Sequence, residues 1–278
     1  MSKKGKKEKK IVVYTKGEMA ARRAVIIILL LISLSCLGYF GYYVYSSYQV
    51  QKESDRLARI SNNEKINEMY TVQEEKAEVD GQIKTFVVLD KYKSLFNQNQ
   101  NLIGWLKIAD TNIDYPVYQT GNNDYYLNHN SSLKEDKNGA LFMDKDCDIK
   151  DRSTNLIIYG HNMRSGKMFG DLSKYENQSF YENHKTITFD TIYEEGTYEV
   201  MYVFRSHVYQ QDEVVFKYYQ FIDALSEEEF NSNMDEMAAL SFYDTGVKAY
   251  YGDELLTLTT CDYEEQDGRF VVVAKRIY

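Results

Sequence analysis

The run LLTLTTC, residues 255–261, followed by GRFVVVAKR, residues 268–276, is the stretch of sequence that decides the fold. Both runs are rich in β-branched residues, and a short polar loop separates them, so they indicate two neighbouring strands at 255–260 and 269–276. Comparable apolar runs, separated by Gly, Asn and Asp, indicate six earlier strands at 104–108, 113–118, 140–144, 155–159, 186–190 and 197–206. Because strands and helices do not alternate regularly, the eight strands predict a mainly β fold, a closed or nearly closed β-barrel.

Helices are predicted in three places around these strands. Two interrupt the strands, at 167–175 and 226–240, and the second opens with Ser226 followed three residues later by Glu229, which is the pattern of a capping box. Before the strands, a polar segment with apolar residues at roughly helical spacing predicts a stalk over 51–82 and a second helix over 84–97. We therefore expect residues 46–100 to form a helical stalk and N-terminal helices.

The N-terminus carries a basic segment followed by an apolar one. Residues 1–23 have a net charge of +7, and residues 24–45 are 22 residues without a charge. A helix of that length spans about 30 Å of hydrocarbon, so we predict a transmembrane helix. A cleaved signal peptide is the alternative, but its apolar region is shorter, about 7–15 residues, and ends in small residues. The positive-inside rule predicts a cytoplasmic N-terminus and an extracellular C-terminal domain over 101–278.

Charge and cysteine content exclude several classes of protein. The total charge is −9, which leaves −16 for the residues after the basic segment, so a nucleic-acid partner is not expected. Only Cys147 and Cys261 lie outside the apolar run, and so there is no disulfide framework: either they pair, or at least one is a thiol. No zinc spacing is present, and the acidic run 144–151 lacks the glycine and the closing Glu of an EF-hand. We expect neither a metal nor a cofactor.

Cys261 and His161 are the candidate pair for nucleophilic catalysis. Cys261 ends a predicted strand beside a polar loop, where a nucleophile is held rigidly and stays open to substrate. His161 follows the strand 155–159 and Gly160, so the two residues can meet at one mouth of a barrel. A neighbouring imidazolium lowers a thiol pKa from about 8.5 toward neutrality and produces the attacking thiolate. The alternatives are a buried structural thiol and a histidine that only hydrogen-bonds a loop.

Arg269 is the candidate third member of the site. It opens the strand that follows Cys261, and its guanidinium can donate to the oxyanion that forms when a thiolate attacks a carbonyl. Arg276, at the far end of the same strand, is expected to face solvent.

Three motifs together resemble the sortases. The signature of that family is TLxTC with a distant His and a following Arg, and here TLTTC, YGHNM and GRFVVVAKR occur at 257–261, 159–163 and 268–276. The resemblance covers 102–278. Within the family, the stretches NLIGWLKI, IDYPVYQ and DYYLNHN, with the helix ahead of the Cys strand, resemble class B. The resemblance implies a sortase-like eight-stranded β-barrel with N-terminal helices, acting as a membrane-anchored cysteine transpeptidase.

The resemblance also implies a role for each motif residue. Cys261 would attack the carbonyl after a Thr in a C-terminal sorting signal of a secreted protein and form a thioester. His161 would protonate the leaving amine and deprotonate the incoming one, while Arg269 would hold the substrate and stabilise the oxyanion. The incoming amine would come from peptidoglycan or its precursor, so the product is a protein fixed to the cell wall. Asn123, Leu127 and Thr259 would line the groove for the signal peptide.

The remaining polar residues near these motifs are expected to be bystanders. Asp262 and Glu264 are interpreted as solvated loop charges, and Cys147, in an acidic loop that raises a thiol pKa, as unreactive. The other histidines are interpreted as structural or exposed: His129, His184 and His207. A cysteine peptidase that releases its acyl-enzyme to water, a pilin-polymerising sortase and a non-catalytic binding module remain as alternatives.

Overall fold

The computed structural model describes residues 15–71, 74–210, 212–261 and 268–278, with the backbone alone for Cys261. The chain forms two compact units, one up to Gln49 and the other from Val50 to Tyr278. The first helix, α1 (Lys16–Ser61), begins in the first unit and ends in the second.

Helix α1 contains the apolar run predicted from the sequence. Its first turn is stabilised by a reciprocal cap, in which Thr15 Oγ1 accepts from the Glu18 backbone N–H and the Glu18 carboxylate accepts from the Thr15 N–H at 2.7 Å. The large apolar side chains of 24–45 are exposed, and the helix is long and apolar enough to cross a membrane.

Eight strands form one closed barrel in the second unit, which confirms the predicted fold. The strands are β3 (Leu102–Lys107), β4 (Asp114–Tyr118), β5 (Leu141–Met143), β6 (Asn155–Tyr159), β7 (Thr186–Thr191), β8 (Thr197–His207), β9 (Leu255–Cys261) and β10 (Gly268–Arg276). Around the barrel they are ordered β10-β8-β7-β3-β4-β5-β6-β9. The β4–β5 and β6–β9 pairs are parallel, and the other pairs are antiparallel.

The strand β10 is buried on both faces, which explains its nearly continuous apolar sequence. Phe270 and Val272 pack in the main barrel core, whereas Val271 and Val273 pack in a second cluster with Phe230, Met234 and Met237. Those three residues belong to α5 (Glu227–Leu240), which covers the outer face of the sheet. The predicted cap is present, since Ser226 Oγ accepts from the Glu229 N–H at 3.1 Å.

One predicted helix between the barrel strands differs from the structure. Of 167–175, only the end is helical, as a 3₁₀ helix over Leu172–Glu176, and the residues before it form turns. Helix α4 (Gln178–Asn183) follows it.

The segment 46–100 is not helical throughout, so that part of the sequence prediction is wrong. After α1 and the short α2 (Glu64–Asn67), the chain forms a hairpin of β1 (Glu74–Val79) and β2 (Gln82–Val87). Asp80 and Gly81 connect these strands with φ angles of 53° and 72°. Asp-Gly is a strong hairpin signal because both turn positions need positive φ. A 3₁₀ turn (Asp90–Tyr92) and α3 (Lys93–Gln98) complete the segment.

Candidate active site

The parallel pairing of β6 with β9 determines at which end of the barrel His161 lies. Residues of β6 lie beside residues numbered 100 higher in β9, from Asn155 with Leu255 to Tyr159 with Thr259. The pairing continues past β6, because the Gly160 N–H donates to the Thr259 carbonyl at 3.2 Å and the Thr260 hydroxyl donates to the Gly160 carbonyl at 2.6 Å. His161 therefore leaves the sheet at the end of β9 that carries Cys261.

The antiparallel pairing of β9 with β10 places Arg269 at the same end. Cys261 and Arg269 are direct partners in this register. Opposite residues in an antiparallel pair have Cα atoms about 4.5–5.5 Å apart. The backbone thus brings together the three residues that sequence analysis selected, although the Cys261 side chain lies outside the described part of the structure.

A cavity of about 350 Å³ opens at this end of the barrel. All five described site residues line it, namely His161, Arg269, Asn123, Leu127 and Thr259. The rest of the wall is largely aromatic or apolar, and it consists of Phe142, Tyr159, Gly160, Val208, Tyr218, Tyr219 and Thr260. A concave, mostly apolar wall with a few polar groups is typical of a ligand site.

His161 is tethered through one ring nitrogen. Its Nε2 lies 2.8 Å from the Leu127 carbonyl oxygen. A carbonyl only accepts, so Nε2 carries a hydrogen, and Nδ1 is the acceptor of the neutral ring. The ring is thereby fixed in one tautomer when it is neutral.

Two glycines near His161 are required by packing. A Cβ on Gly160 would lie 2.4 Å from Leu141 Cδ2 and 2.8 Å from Phe169 Cδ2, so the glycine preceding the histidine is required by packing. Gly139, which sequence analysis did not select, has φ of +61°, and its Cβ would lie 2.4 Å from the Tyr126 carbonyl and 3.2 Å from His161 Cδ2. Only a residue without a side chain fits there.

The two arginines of β10 have different surroundings. Arg269 is partly buried at the cavity, and its Nη1 donates to the Gly268 carbonyl at 2.9 Å. Arg276 was expected to face solvent, which is wrong: its side chain is 19% exposed, and its Nη1 lies 2.7 Å from Glu254 and 2.8 Å from Glu194. Burial disfavours its charge, but these carboxylates outweigh burial and raise the pKa of Arg276 above its usual range.

Two residues expected in the groove already have polar partners. The hydroxyl of Thr259, a fully buried residue, lies 2.7 Å from the Tyr218 hydroxyl. Asn123 donates from Nδ2 to Asp144 Oδ2 at 3.0 Å and accepts from the Lys145 N–H at 2.8 Å. Neither contact was expected from the sequence.

Comparison with known proteins shows which family the chain belongs to. A family model described as the sortase domain matches residues 106–277. The chain belongs to the sortase family. Sortase B of Listeria monocytogenes is 31% identical over 246 residues, which is 85% of this chain and 93% of that protein. Sortase B of Staphylococcus aureus is 30% identical over 240 residues, 86% of this chain and 91% of that protein.

Solved structures of class B sortases share the fold. Sortase B from B. anthracis in complex with AAEK1 has a TM-score of 0.67 at 30% identity, covering 84% of this chain and 98% of that one. The Staphylococcus aureus sortase B–substrate complex has a TM-score of 0.61 at 32% identity, covering 68% and 86% of the two chains. The expectation of a class B sortase with cysteine transpeptidase activity is confirmed.

The other candidate residues of this sortase lie away from the cavity. Cys147 is buried, with its Sγ 3.4 Å from the Ile157 nitrogen and 3.5 Å from the Asn155 carbonyl oxygen. Burial, with a smaller effect of Asp144, raises the pKa of the Cys147 thiol to about 12. The expected inertness therefore has burial as its main cause, ahead of the acidic neighbours that sequence analysis invoked.

The remaining histidines have local partners, as expected. His129 stacks on Tyr125 at 4.0 Å between ring centroids, His184 on Phe180 at 3.9 Å, and His207 lies against Tyr209. Asp262 and Glu264 lie outside the described residues. Within the residues that the structure describes, no group of His, Cys, Asp and Glu is arranged to hold a metal ion.

Proposed function

We propose that Cys261 is the nucleophile of this sortase and that His161 is its acid and base. The Cys261 thiolate attacks the carbonyl carbon after a Thr in a sorting signal, the peptide C–N bond breaks, and a thioester remains on the enzyme. The His161 imidazolium gives its proton to the leaving amine. An incoming amine then attacks the thioester and loses a proton to His161, and the thiolate is released.

The observation that supports this assignment best is the register of β9. The strand is paired on one side with β6, which leads into His161, and on the other with β10, which begins at Arg269. A nucleophile at the end of β9 would therefore have an acid–base group, His161, on the β6 side and a cation, Arg269, on the β10 side. We propose that Arg269 orients the substrate carbonyls and stabilises the developing oxyanion.

The cavity supports a peptide as the substrate. Asn123, Leu127 and Thr259 lie on its wall together with three tyrosines, so side chains of an extended sorting signal would be buried there. Thr259 would shape the floor of the cavity, since it is fully buried and its hydroxyl is engaged by Tyr218. The substrate complex solved for the Staphylococcus aureus relative adds support for a peptide partner.

We propose an amine of peptidoglycan or its precursor as the acceptor, so that the enzyme anchors secreted proteins to the cell wall. Hydrolysis of the thioester, as in a thiol protease, and polymerisation of pilins differ from this reaction only in the nucleophile. These outcomes are separated by presenting the acyl-enzyme with water alone, with a peptidoglycan-type amine, or with a pilin lysine.

We further propose that the enzyme is a single-pass membrane protein. Residues 1–23 would be cytoplasmic, 24–45 transmembrane, 46–100 an extracellular segment of helices and a hairpin, and 101–278 the extracellular catalytic barrel. The basic segment before the apolar run and the uninterrupted helix Lys16–Ser61 support this arrangement. Protease added to intact, wall-stripped cells should digest the barrel and leave a small N-terminal fragment. Protection of the barrel would contradict the orientation.

The assignment of the nucleophile is tested with two cysteine variants. Cys261→Ala should abolish thioester formation with a sorting-signal peptide, measured by intact-protein mass spectrometry, and leave the circular dichroism spectrum unchanged. Cys147→Ala is the matched control, and we expect it to form the thioester at the wild-type rate. Retained activity in Cys261→Ala with loss in Cys147→Ala would reverse the assignment.

Adding an amine nucleophile should convert a slow hydrolytic release into transfer, whereas a peptidase would release acid at an unchanged rate.

A further inference from the structure

Asp144 is a buried carboxylate behind the wall of the active-site cavity. It follows β5, is 5% exposed, and its backbone N–H donates to the Ile157 carbonyl at 2.8 Å, which fixes it against β6. Its carboxylate accepts hydrogen bonds from Asn123 Nδ2 at 3.0 Å, from the Tyr159 hydroxyl at 2.8 Å and from the Asp146 N–H at 3.0 Å. Two of these donors, Asn123 and Tyr159, line the cavity.

Asp144 determines which way the Asn123 amide points. A carboxylate only accepts hydrogen bonds, so the amide must turn its NH₂ group toward Asp144. The Asn123 oxygen then accepts from the Lys145 N–H at 2.8 Å. In the opposite orientation the Asn123 NH₂ group would face the Lys145 N–H, and two donors would meet. Within the part of the chain that the structure describes, these contacts leave one Asn123 amide N–H that can donate to a bound ligand.

Asp144 also determines whether the Tyr159 hydroxyl donates or accepts toward the cavity. That hydroxyl has a single hydrogen, and Asp144 Oδ2 accepts it at 2.8 Å, so the Tyr159 oxygen is left as an acceptor. Burial and then the charge of Asp144 raise the pKa of Tyr159 above its usual range, so the hydroxyl keeps its proton. The ring is held in addition by stacking on Phe142, with ring centroids 5.3 Å apart.

We propose that Asp144 is a positioning residue that makes the cavity wall present one N–H donor, from Asn123, next to one oxygen acceptor, from Tyr159. This pair is complementary to an amide group, which carries a C=O acceptor and an N–H donor. The ligand class is therefore an amide of the peptide, either a main-chain amide or a side-chain carboxamide. The inference rests on the proposed function, since it assigns how the same cavity holds the sorting signal. Asp144 itself does not line the cavity and acts through its two neighbours.

Asp144→Asn tests this with the smallest change in shape. It replaces an acceptor-only group by one with a donor, so that Asn123 can turn over and Tyr159 loses its charged acceptor. We expect kcat/KM for a sorting-signal peptide to fall on the order of 10-fold, mainly through KM, with kcat little changed. Asp146→Asn is the matched control, because its carboxylate is 64% exposed and contacts Lys145. We expect that variant to keep the wild-type kcat/KM.

A double-variant cycle distinguishes positioning from a merely structural role. In a background of Asn123→Ala with Tyr159→Phe, the residues through which Asp144 acts are gone, and Asp144→Asn should change kcat/KM by less than about 2-fold. An equal loss in both backgrounds would overturn the proposal, because Asp144 would then stabilise the fold alone.

A measurement independent of activity separates this proposal from the proposed function. The side-chain amide of Asn123, observed by ¹⁵N NMR, should shift in Asp144→Asn and stay in place in Asp146→Asn. If Asp144→Asn does not fold, Tyr159→Phe replaces it, because loss of the hydroxyl that shares Asp144 Oδ2 should shift the same resonance. An unmoved Asn123 amide would overturn the positioning role. Failure of the wild-type enzyme to transfer any sorting-signal peptide would overturn the proposed function and leave the amide result standing.

Discussion

Arg269 lies directly opposite Cys261 across the β9–β10 ladder and directly opposite Ser206 across the β10–β8 ladder. The arginine is therefore held between two neighbouring strands, and its position does not depend on the conformation of a loop. A group fixed in this way can donate to a developing charge without first reorganising.

Arg269→Lys separates charge from geometry at this position. A lysine keeps the positive charge but loses the planar fork that offers two parallel donors. We expect kcat/KM for a sorting-signal peptide to fall on the order of 10²-fold, as when an oxyanion donor is removed. Circular dichroism and thermal melts should show that the variant stays folded. Near-normal turnover would mean that a positive potential suffices there.

Arg276→Lys is expected to affect stability and leave catalysis intact. The guanidinium contacts two carboxylates and two carbonyl oxygens, those of Glu195 and Tyr278, and one ammonium cannot reach all four. We expect the free energy of unfolding to fall by about 1–2 kcal/mol, measured by urea denaturation, with kcat/KM within about 2-fold of wild type. An unchanged free energy of unfolding would show that these contacts contribute nothing measurable.

Asp171 should make stability depend on pH in the acid range. Burial disfavours its charge, but hydrogen bonds from Lys174 and Asn112 outweigh burial and lower the pKa of this carboxyl. A pKa below the unfolded-state value, about 3.9, means that the carboxylate stabilises the fold above that pH and that the stabilisation is lost as the pH falls further.

Asp171→Asn should therefore be less stable than wild type at pH 7, and the difference should shrink as the pH falls below about 4. Urea denaturation at a series of pH values measures it. The exposed Asp151 provides a control, since Asp151→Asn should follow the wild-type pH dependence. A stability difference that does not change with pH would mean that the charge of Asp171 is not what stabilises the fold.

Gly160→Ala tests the packing behind His161. The added methyl group would overlap Leu141 and Phe169, both buried, so we expect a loss of about 1–3 kcal/mol in stability from overpacking. Displacement of the adjacent His161 should also lower kcat. Gly121→Ala is a matched control, because nothing lies within 4 Å of its Cβ position. Wild-type stability and kcat in Gly160→Ala would show that the core yields to the methyl group.

The barrel strands could be predicted from the sequence because each is a short apolar run bounded by turn residues. The hairpin at Glu74–Val87 could not be found by that criterion, since its strands EEKAEV and QIKTFV are mostly exposed and carry few apolar residues. The Asp80-Gly81 pair is the hairpin signal in this sequence, whereas the spacing of the apolar residues on either side of it indicates helices. The first part of 167–175 is not helical, because its residues make contacts that the helical pattern does not predict. One of them is the β-bridge between Asn162 and Met168.

The site residues that sequence analysis selected are those marked by their position at strand ends. Tyr159 carried a weaker signal, since it is the last residue of β6, two residues before His161. Asp144 and Tyr218 carried none, because their roles arise from contacts with residues 15 and 41 positions away. Arg276 was misjudged for the same reason: its carboxylate partners Glu194 and Glu254 lie 82 and 22 positions away.

The offset of 100 residues between β6 and β9 also bears on the order in which the proposed site assembles. The strand leading into His161 can pair with the strand of Cys261 only after the chain between them has been made and folded, and contacts so distant in sequence form late and slowly. A chain still emerging from synthesis or export has His161 exposed long before Cys261 is available. If Cys261 is the nucleophile, as proposed, its thiol has His161 and Arg269 as neighbours only once β9 and β10 have closed the barrel.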